Sequence, residues 1–109
     1  MATHPGKPVR GSQTGQPIMV LFDVLGKRWT LRILWELRDS RLTFRQLQQQ
    51  CEDVSPTLLN SRLKELRELN LLDHNEKGYG YTSWGRKLAG PLGELNQFAR
   101  RWGKQFPGK

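Results

Sequence analysis

Asn60, Ser61, Arg62 and Lys64 lie almost side by side, with Thr57 one helical turn earlier. These side chains suit hydrogen bonding to nucleic acid. An Asn amide pairs bidentately with adenine, Ser and Thr hydroxyls meet several base edges, and Arg and Lys neutralise phosphates and release counterions. Leu59, Leu63 and Leu66 fall at i, i+4, i+7 and make one buried stripe on a helix, leaving Thr57, Asn60, Ser61 and Lys64 together on the opposite side. That side fits a DNA major groove. It also fits an ordinary solvated helix surface on which Arg62 and Lys64 pair with Glu65 or Glu68. Asn60 is the best candidate base reader, and Arg62 and Lys64 are the candidate phosphate contacts. Arg28, Arg41 and Arg45, near the starts of neighbouring helices, are further candidates for phosphate.

Other chemistry has little to work with. Catalysis needs a nucleophile, a base and an orienting group, or clustered metal ligands, and this chain has Cys51, His4 and His74 far apart in sequence. No enzyme activity, metal site or cofactor is expected. The acidic neighbours Glu52 and Asp53 disfavour a Cys51 thiolate, which points to a structural cysteine rather than a redox switch. Trp29, Trp35, Trp84 and Trp102 are candidates to line a pocket for a small-molecule effector, although large aromatics more often form core.

The elements that position these residues follow from caps and periodicity. Ser55 is a good N-cap and Pro56 suits the first helical position, so the helix carrying Asn60 starts there and runs to about 68. Pro17 opens an earlier helix with Ile18, Leu21, Phe22 and Leu25 on its apolar side, closed by Gly26 as a C-terminal glycine. Trp29 to Arg38 is a second helix, apolar on more than one side and therefore central. Thr43 and Gln46 form a capping box for a third, reaching about Gln50, and Leu42 to Phe44 is a candidate brief strand. After Asn70 the period becomes alternating. Leu71–His74 and Tyr79–Tyr81 flank Asn75-Glu-Lys-Gly78 and predict a β-hairpin. Thr82 caps a last helix that Pro91 restarts or kinks and that runs to about Phe106. Its stripe, Leu88, Leu92, Leu95, Ala99, Trp102 and Phe106, has coiled-coil spacing. The fold class is mainly α with a small β-hairpin, a helix-turn-helix followed at once by a wing.

The 109 residues make one domain, from 17 to 106, behind an arm at 1–16 that is too polar to offset the entropy of ordering. Net charge is +8, yet residues 17–99 carry 12 basic and 10 acidic side chains, so most of the excess sits at the two ends. Charge alone is therefore a weak argument for DNA. A single cysteine, no apolar leader and no membrane-length apolar run suggest a cytoplasmic protein.

From about Pro17 to Trp102 the chain resembles the HxlR-type winged-helix transcriptional regulators, small relatives of the MarR group. The resemblance rests on an ordered set of motifs: Gly26-Lys-Arg-Trp29 opening the second helix, Phe44-Arg-Gln-Leu47, the Ser55–Leu66 helix, Asn70-Leu-Leu72, and Tyr79-Gly-Tyr-Thr-Ser-Trp-Gly85 with Tyr81 in a leucine place. It implies a homodimer built through the first and last helices that represses or activates promoters. By position it carries the DNA surface onto Ser55, Pro56, Thr57, Asn60, Ser61, Arg62 and Lys64, with wing contacts around His74, Asn75 and Lys77. This chain departs from the pattern twice. Only six residues separate Leu72 from Tyr79, a short wing, and Gln16 stands where redox-sensing members carry a cysteine beside the proline.

Both the resemblance and the coiled-coil spacing predict a dimer held by Ile18, Leu21, Phe22 and Leu25 with Leu88, Leu92, Leu95, Ala99, Trp102 and Phe106. The partners expected are double-stranded DNA, a second copy of the chain and an effector of unknown chemistry; no membrane contact is expected. The rival reading is a winged-helix module that docks another protein through its last helix and tails. The lack of acid on the Ser55 helix as far as Lys64 favours DNA.

Overall fold

Five helices and one hairpin follow the order α1 (Pro17–Leu25), α2 (Thr30–Glu36), α3 (Phe44–Gln50), α4 (Pro56–Glu68), β1 (Leu72–Asn75), β2 (Gly78–Tyr81) and α5 (Ser83–Gly103) in the computed structural model, which describes residues 15–106 and 108. The basic arm expected at 1–16 lies outside the described residues except for its last two.

α1 is apolar on nearly every side, so periodicity alone does not say which side faces inward. Val20 and Val24 enter the core, whereas Ile18 and Phe22 stay 46% and 58% exposed. Gly26 does not take the left-handed conformation expected of a terminal glycine; its φ is −78°. The left-handed residue of this turn is Trp29, φ 76°, so α2 begins one residue later than the motif suggested and ends at Glu36 rather than Arg38.

α3 starts in the expected capping box. The Gln46 amide N–H donates to Thr43 Oγ1 at 3.2 Å and the Thr43 amide N–H to Gln46 Oε1 at 2.9 Å. Glu52 and Asp53, both at positive φ, reverse the chain into α4. There Ser55 Oγ accepts from the Leu58 amide at 3.1 Å, and Leu59, Leu63 and Leu66 are fully buried. Asn70, at φ 61°, ends α4. Its amide donates to the Arg67 carbonyl and that of Leu71 to the Leu66 carbonyl, both at 3.0 Å, a Schellman closure that turns the chain into the wing.

β1 and β2 pair antiparallel, Leu72 opposite Tyr81 and Asn75 opposite Gly78, around the two-residue loop Glu76-Lys77. The strand expected at 42–44 shrinks to one bridge, Leu42 with Tyr79, because α3 already claims Phe44. Thr82 Oγ1 accepts from the Gly85 amide at 3.0 Å and donates to the Asn70 carbonyl at 2.6 Å, which ties the start of α5 to the end of α4. The helix is continuous through Pro91 and ends at Gly103. Three i→i+3 bonds tighten residues 104–106, where the sequence suggested further helix. Ile33, Leu34, Leu37, Leu47, Cys51, Leu59, Leu63, Leu66 and Leu72 form the centre of the core. Tyr81 joins them by donating its hydroxyl to the Leu34 carbonyl, so its polar end is satisfied where an aliphatic side chain would need no partner.

Candidate nucleic-acid interface

α4 turns its leucine stripe inward, so its opposite side is fixed by geometry. Thr57, Asn60, Ser61 and Lys64 are all exposed there, and Ser55 and Pro56 are exposed at the start of the helix. Arg62 lies on the flank of that face, half-buried, and its Nε donates to the Arg28 carbonyl at 2.8 Å. Among the described residues it makes no ion pair with Glu65. Glu65 is held instead by Lys27, Nζ to Oε2 2.7 Å, with only 12% of the Glu65 side chain exposed. These two bonds fasten one edge of α4 to the α1–α2 turn. Lys27 carried no local sign of this role, because its partner is 38 residues away.

The other edge of α4 opens on the wing. Lys64, Arg67, Glu68, Asn70, Leu72, Asp73 and His74 line a groove of about 550 Å³ between the helix and β1. Arg67 and Asn70 add donors that the sequence reading passed over, although the spacing of three from Lys64 to Arg67 already placed both on neighbouring turns. His74 stacks on Tyr79 with ring centroids 4.2 Å apart. At the hairpin tip Asn75 Oδ1 accepts from the Lys77 amide at 2.8 Å, which shapes the turn and leaves Lys77 exposed. Arg28 and Arg45 are exposed, and Arg45 sits in the first turn of α3. Arg41 is engaged within the protein: Nη2 meets Asp73 Oδ1 at 2.5 Å and Nη1 donates to the Gly78 carbonyl at 3.0 Å.

Comparison with known proteins agrees with this arrangement. The model of the HxlR-like helix-turn-helix family matches residues 24–107. The chain belongs to that family. An uncharacterised HTH-type transcriptional regulator of Bacillus subtilis, YvaP, is 29% identical, over 73% of this chain and 81% of that protein. Among solved structures, quinone-bound YodB from Bacillus subtilis is 28% identical with a TM-score of 0.69, covering 82% of this chain and 97% of that one. The reduced form of the transcriptional regulator YodB gives 26% and 0.67, with 84% and 92% covered. The fold is thus a winged helix, with α3 and α4 as the helix-turn-helix pair and β1–β2 as the wing.

Away from the α4 face, this HxlR-like chain leaves large apolar side chains in solvent. Leu95, Phe98, Trp102 and Phe106 on and beyond α5 are 59%, 58%, 57% and 51% exposed; Ala99 is exposed beside them, and Leu21 and Leu25 of α1 are half-buried. Only the first half of the α5 stripe, Leu88 and Leu92, packs on the chain's own core. Phe98 lies off the spacing that defined the stripe, and the sequence reading missed it. The tryptophans do not converge on one pocket, and of the four only Trp29 packs against the core cluster. Trp84 and Trp102 are more than half exposed, while Trp35 alone of the four lines a cavity of about 260 Å³ with Leu31, Leu92, Leu95, Asn96 and Ala99. Cys51 is wholly buried, and burial is the first cause that pushes its thiol up; Arg32 opposes this, and Glu36 and Glu52 add to it. Desolvation, rather than the neighbouring carboxylates, is therefore the main reason for a protonated thiol. Among the described residues, no helix is long and apolar enough to cross a membrane.

Proposed function

We propose that the protein is a cytoplasmic, sequence-specific regulator of transcription that binds double-stranded DNA as a homodimer, with α4 in the major groove. The observation that carries this reading is the outward face of α4. Thr57, Asn60, Ser61 and Lys64 are exposed along it with no acidic side chain among them, and the first acid beyond, Glu65, is neutralised by Lys27. Phosphate contacts position such a helix and base contacts specify its site, so Asn60 is the reader while Arg62, Lys64, Arg28 and Arg45 hold the backbone. Ser55 and Pro56 bring the N-terminus of α4 to the groove, and His74, Asn75 and Lys77 present the wing to the flanking duplex. Two copies are joined through α1 and α5, where Ile18, Phe22, Leu95, Trp102 and Phe106 otherwise remain in water. Family membership supports this reading, as do relatives described as transcriptional regulators.

Selection of bound sequences from random duplex DNA tests it. The expected product is a pair of related half-sites about one helical turn, ~34–36 Å, apart, bound with strong salt dependence. If no sequence is enriched and binding ignores salt, the chain is better described as a protein-docking winged helix.

A further inference from the structure

Arg41 lies on the α2–α3 connection, yet its guanidinium bonds to the wing. One guanidinium nitrogen meets the Asp73 carboxylate on β1 and another donates to the Gly78 carbonyl on β2, so a single planar group spans both strands. The side chain crosses the hairpin directly over Gly80. A Cβ built at Gly80 stands 2.7 Å from Arg41 Cγ, closer than unbonded carbons approach, and a tight 3.0 Å from its Cζ. The next residue continues the attachment. Leu42 and Tyr79 exchange two backbone bonds, the Tyr79 amide donating to the Leu42 carbonyl at 2.8 Å and the Leu42 amide to the Tyr79 carbonyl at 3.1 Å. Gly78, at φ 111°, is pressed so near this strand that a Cβ there falls 2.3 Å from the Leu42 carbonyl oxygen. Two four-residue strands with a two-residue loop make a ribbon that is marginal alone. Its orientation therefore depends on what grips it.

We propose that Arg41 is a positioning residue for DNA binding: by latching β1 and β2 to the α2–α3 connection over Gly80, it fixes the angle at which the short wing carries Lys77 to the phosphates flanking the site. The latch rests on the DNA-binding reading. It accounts for how a wing this short takes part, since a ribbon with little reach must be aimed in advance rather than adapt on contact.

The test uses the whole chain and two duplexes bearing the selected half-sites, one ending at the sites and one extended by about ten base pairs, a helical turn, at each end. Wild type binds the extended duplex more tightly and with a steeper salt slope. Arg41→Ala binds the short duplex as wild type does but forfeits most of the gain from the extension, and its slope there becomes shallower by about 1 for each phosphate the wing no longer reaches. Gly80→Ala displaces the Arg41 side chain without changing charge and gives the same result, which keeps the test open if Arg41→Ala fails to fold. Asp73→Asn separates the latch from direct phosphate contact by Arg41. Freeing the guanidinium and removing a negative charge would tighten binding to the extended duplex if Arg41 touched DNA, and that outcome overturns the proposal; a reduced gain supports it. An equal loss on both duplexes, matched by a lower unfolding midpoint, marks a merely structural residue and overturns it too. If wild type binds the short duplex but gains nothing from the extension, the wing role falls and the major-groove reading stands. If it binds neither duplex, both fall.

Discussion

Asn60 and Lys64 stand one turn apart on the exposed side of α4, and their chemistry predicts different failures. A bidentate amide discriminates between bases, so Asn60→Ala is expected to cost about 1–3 kcal/mol on the preferred site and to relax selection at one position in each half-site, with little change on unrelated DNA. A cation on phosphate reads no sequence. Lys64→Ala should weaken specific and unrelated DNA together and make the salt slope shallower by about 1. Titrations across a salt series separate the two; unchanged affinity, selection and slope in both variants, with the fold intact, would remove α4 as the reader. Cys51 belongs to the same scale. Burial raises its thiol above the ordinary value of 9.0, so the unfolded chain loses this proton at lower pH than the folded one. Its contribution to stability is whole below pH 9 and disappears as pH climbs through the folded value. Chemical unfolding between pH 7 and 10.5 should show wild type losing more stability than Cys51→Ala over the alkaline part of the range. Tyr81, also raised first by burial, adds a loss of the same sign at higher pH in both proteins. Peroxide should leave the DNA affinity of wild type unchanged, since no thiolate is offered.

α4 owes its place to packing more than to its cap. Ser55→Ala removes one hydrogen bond to the Leu58 amide and is expected to cost about 0.5–2 kcal/mol, whereas Leu63→Ala opens a hole under a fully buried position and should cost about 2–5 kcal/mol. Urea denaturation of the two variants measures the order, and a larger loss for Ser55→Ala would contradict it. The same contrast explains what could be read from the chain. Caps are local, so Thr43 with Gln46, Ser55 with Pro56, and Thr82 all marked helix starts correctly, and the leucine spacing of α4 showed its inner side. Where an element is apolar on nearly every side, as α1 is, spacing leaves two solutions, and the choice of Val20 and Val24 over Ile18 and Phe22 is made by the neighbours it packs against. Long-range polar contacts left no sign at all. Lys27 with Glu65 and Arg41 with Asp73 join segments 38 and 32 residues apart, and nothing in either segment alone announces its partner. Trp29 ran against local preference, since few residue types are less expected in a left-handed turn than a bulky aromatic.

The second half of α5 leaves its large apolar side chains mostly in solvent. Leu95, Phe98, Trp102 and Phe106 are each more than half exposed; on α1 Phe22 is too, and Ile18 is nearly so. Isolated exposed apolar residues need no explanation, but a run of aromatics along one helix marks an interface. Aromatic anchors of this kind carry most of the energy of an interface, and a second copy can bury its own set at the same time about a two-fold axis. That symmetry also suits the DNA reading, because a two-fold protein addresses paired half-sites, and joining two readers makes the second binding event intramolecular. Replacing Leu95 and Trp102 together with glutamate should therefore yield a folded monomer. Neither residue belongs to the buried core, so circular dichroism should keep its helical signal while sedimentation reports half the wild-type mass. The monomer should retain weak, salt-dependent binding to any duplex through α4 but bind the paired site more than about tenfold less tightly, since only one reader is engaged. A wild type that sediments as a monomer at micromolar concentration, or a monomeric variant that binds the paired site as tightly as wild type, would show that these apolar side chains serve something other than a partner copy.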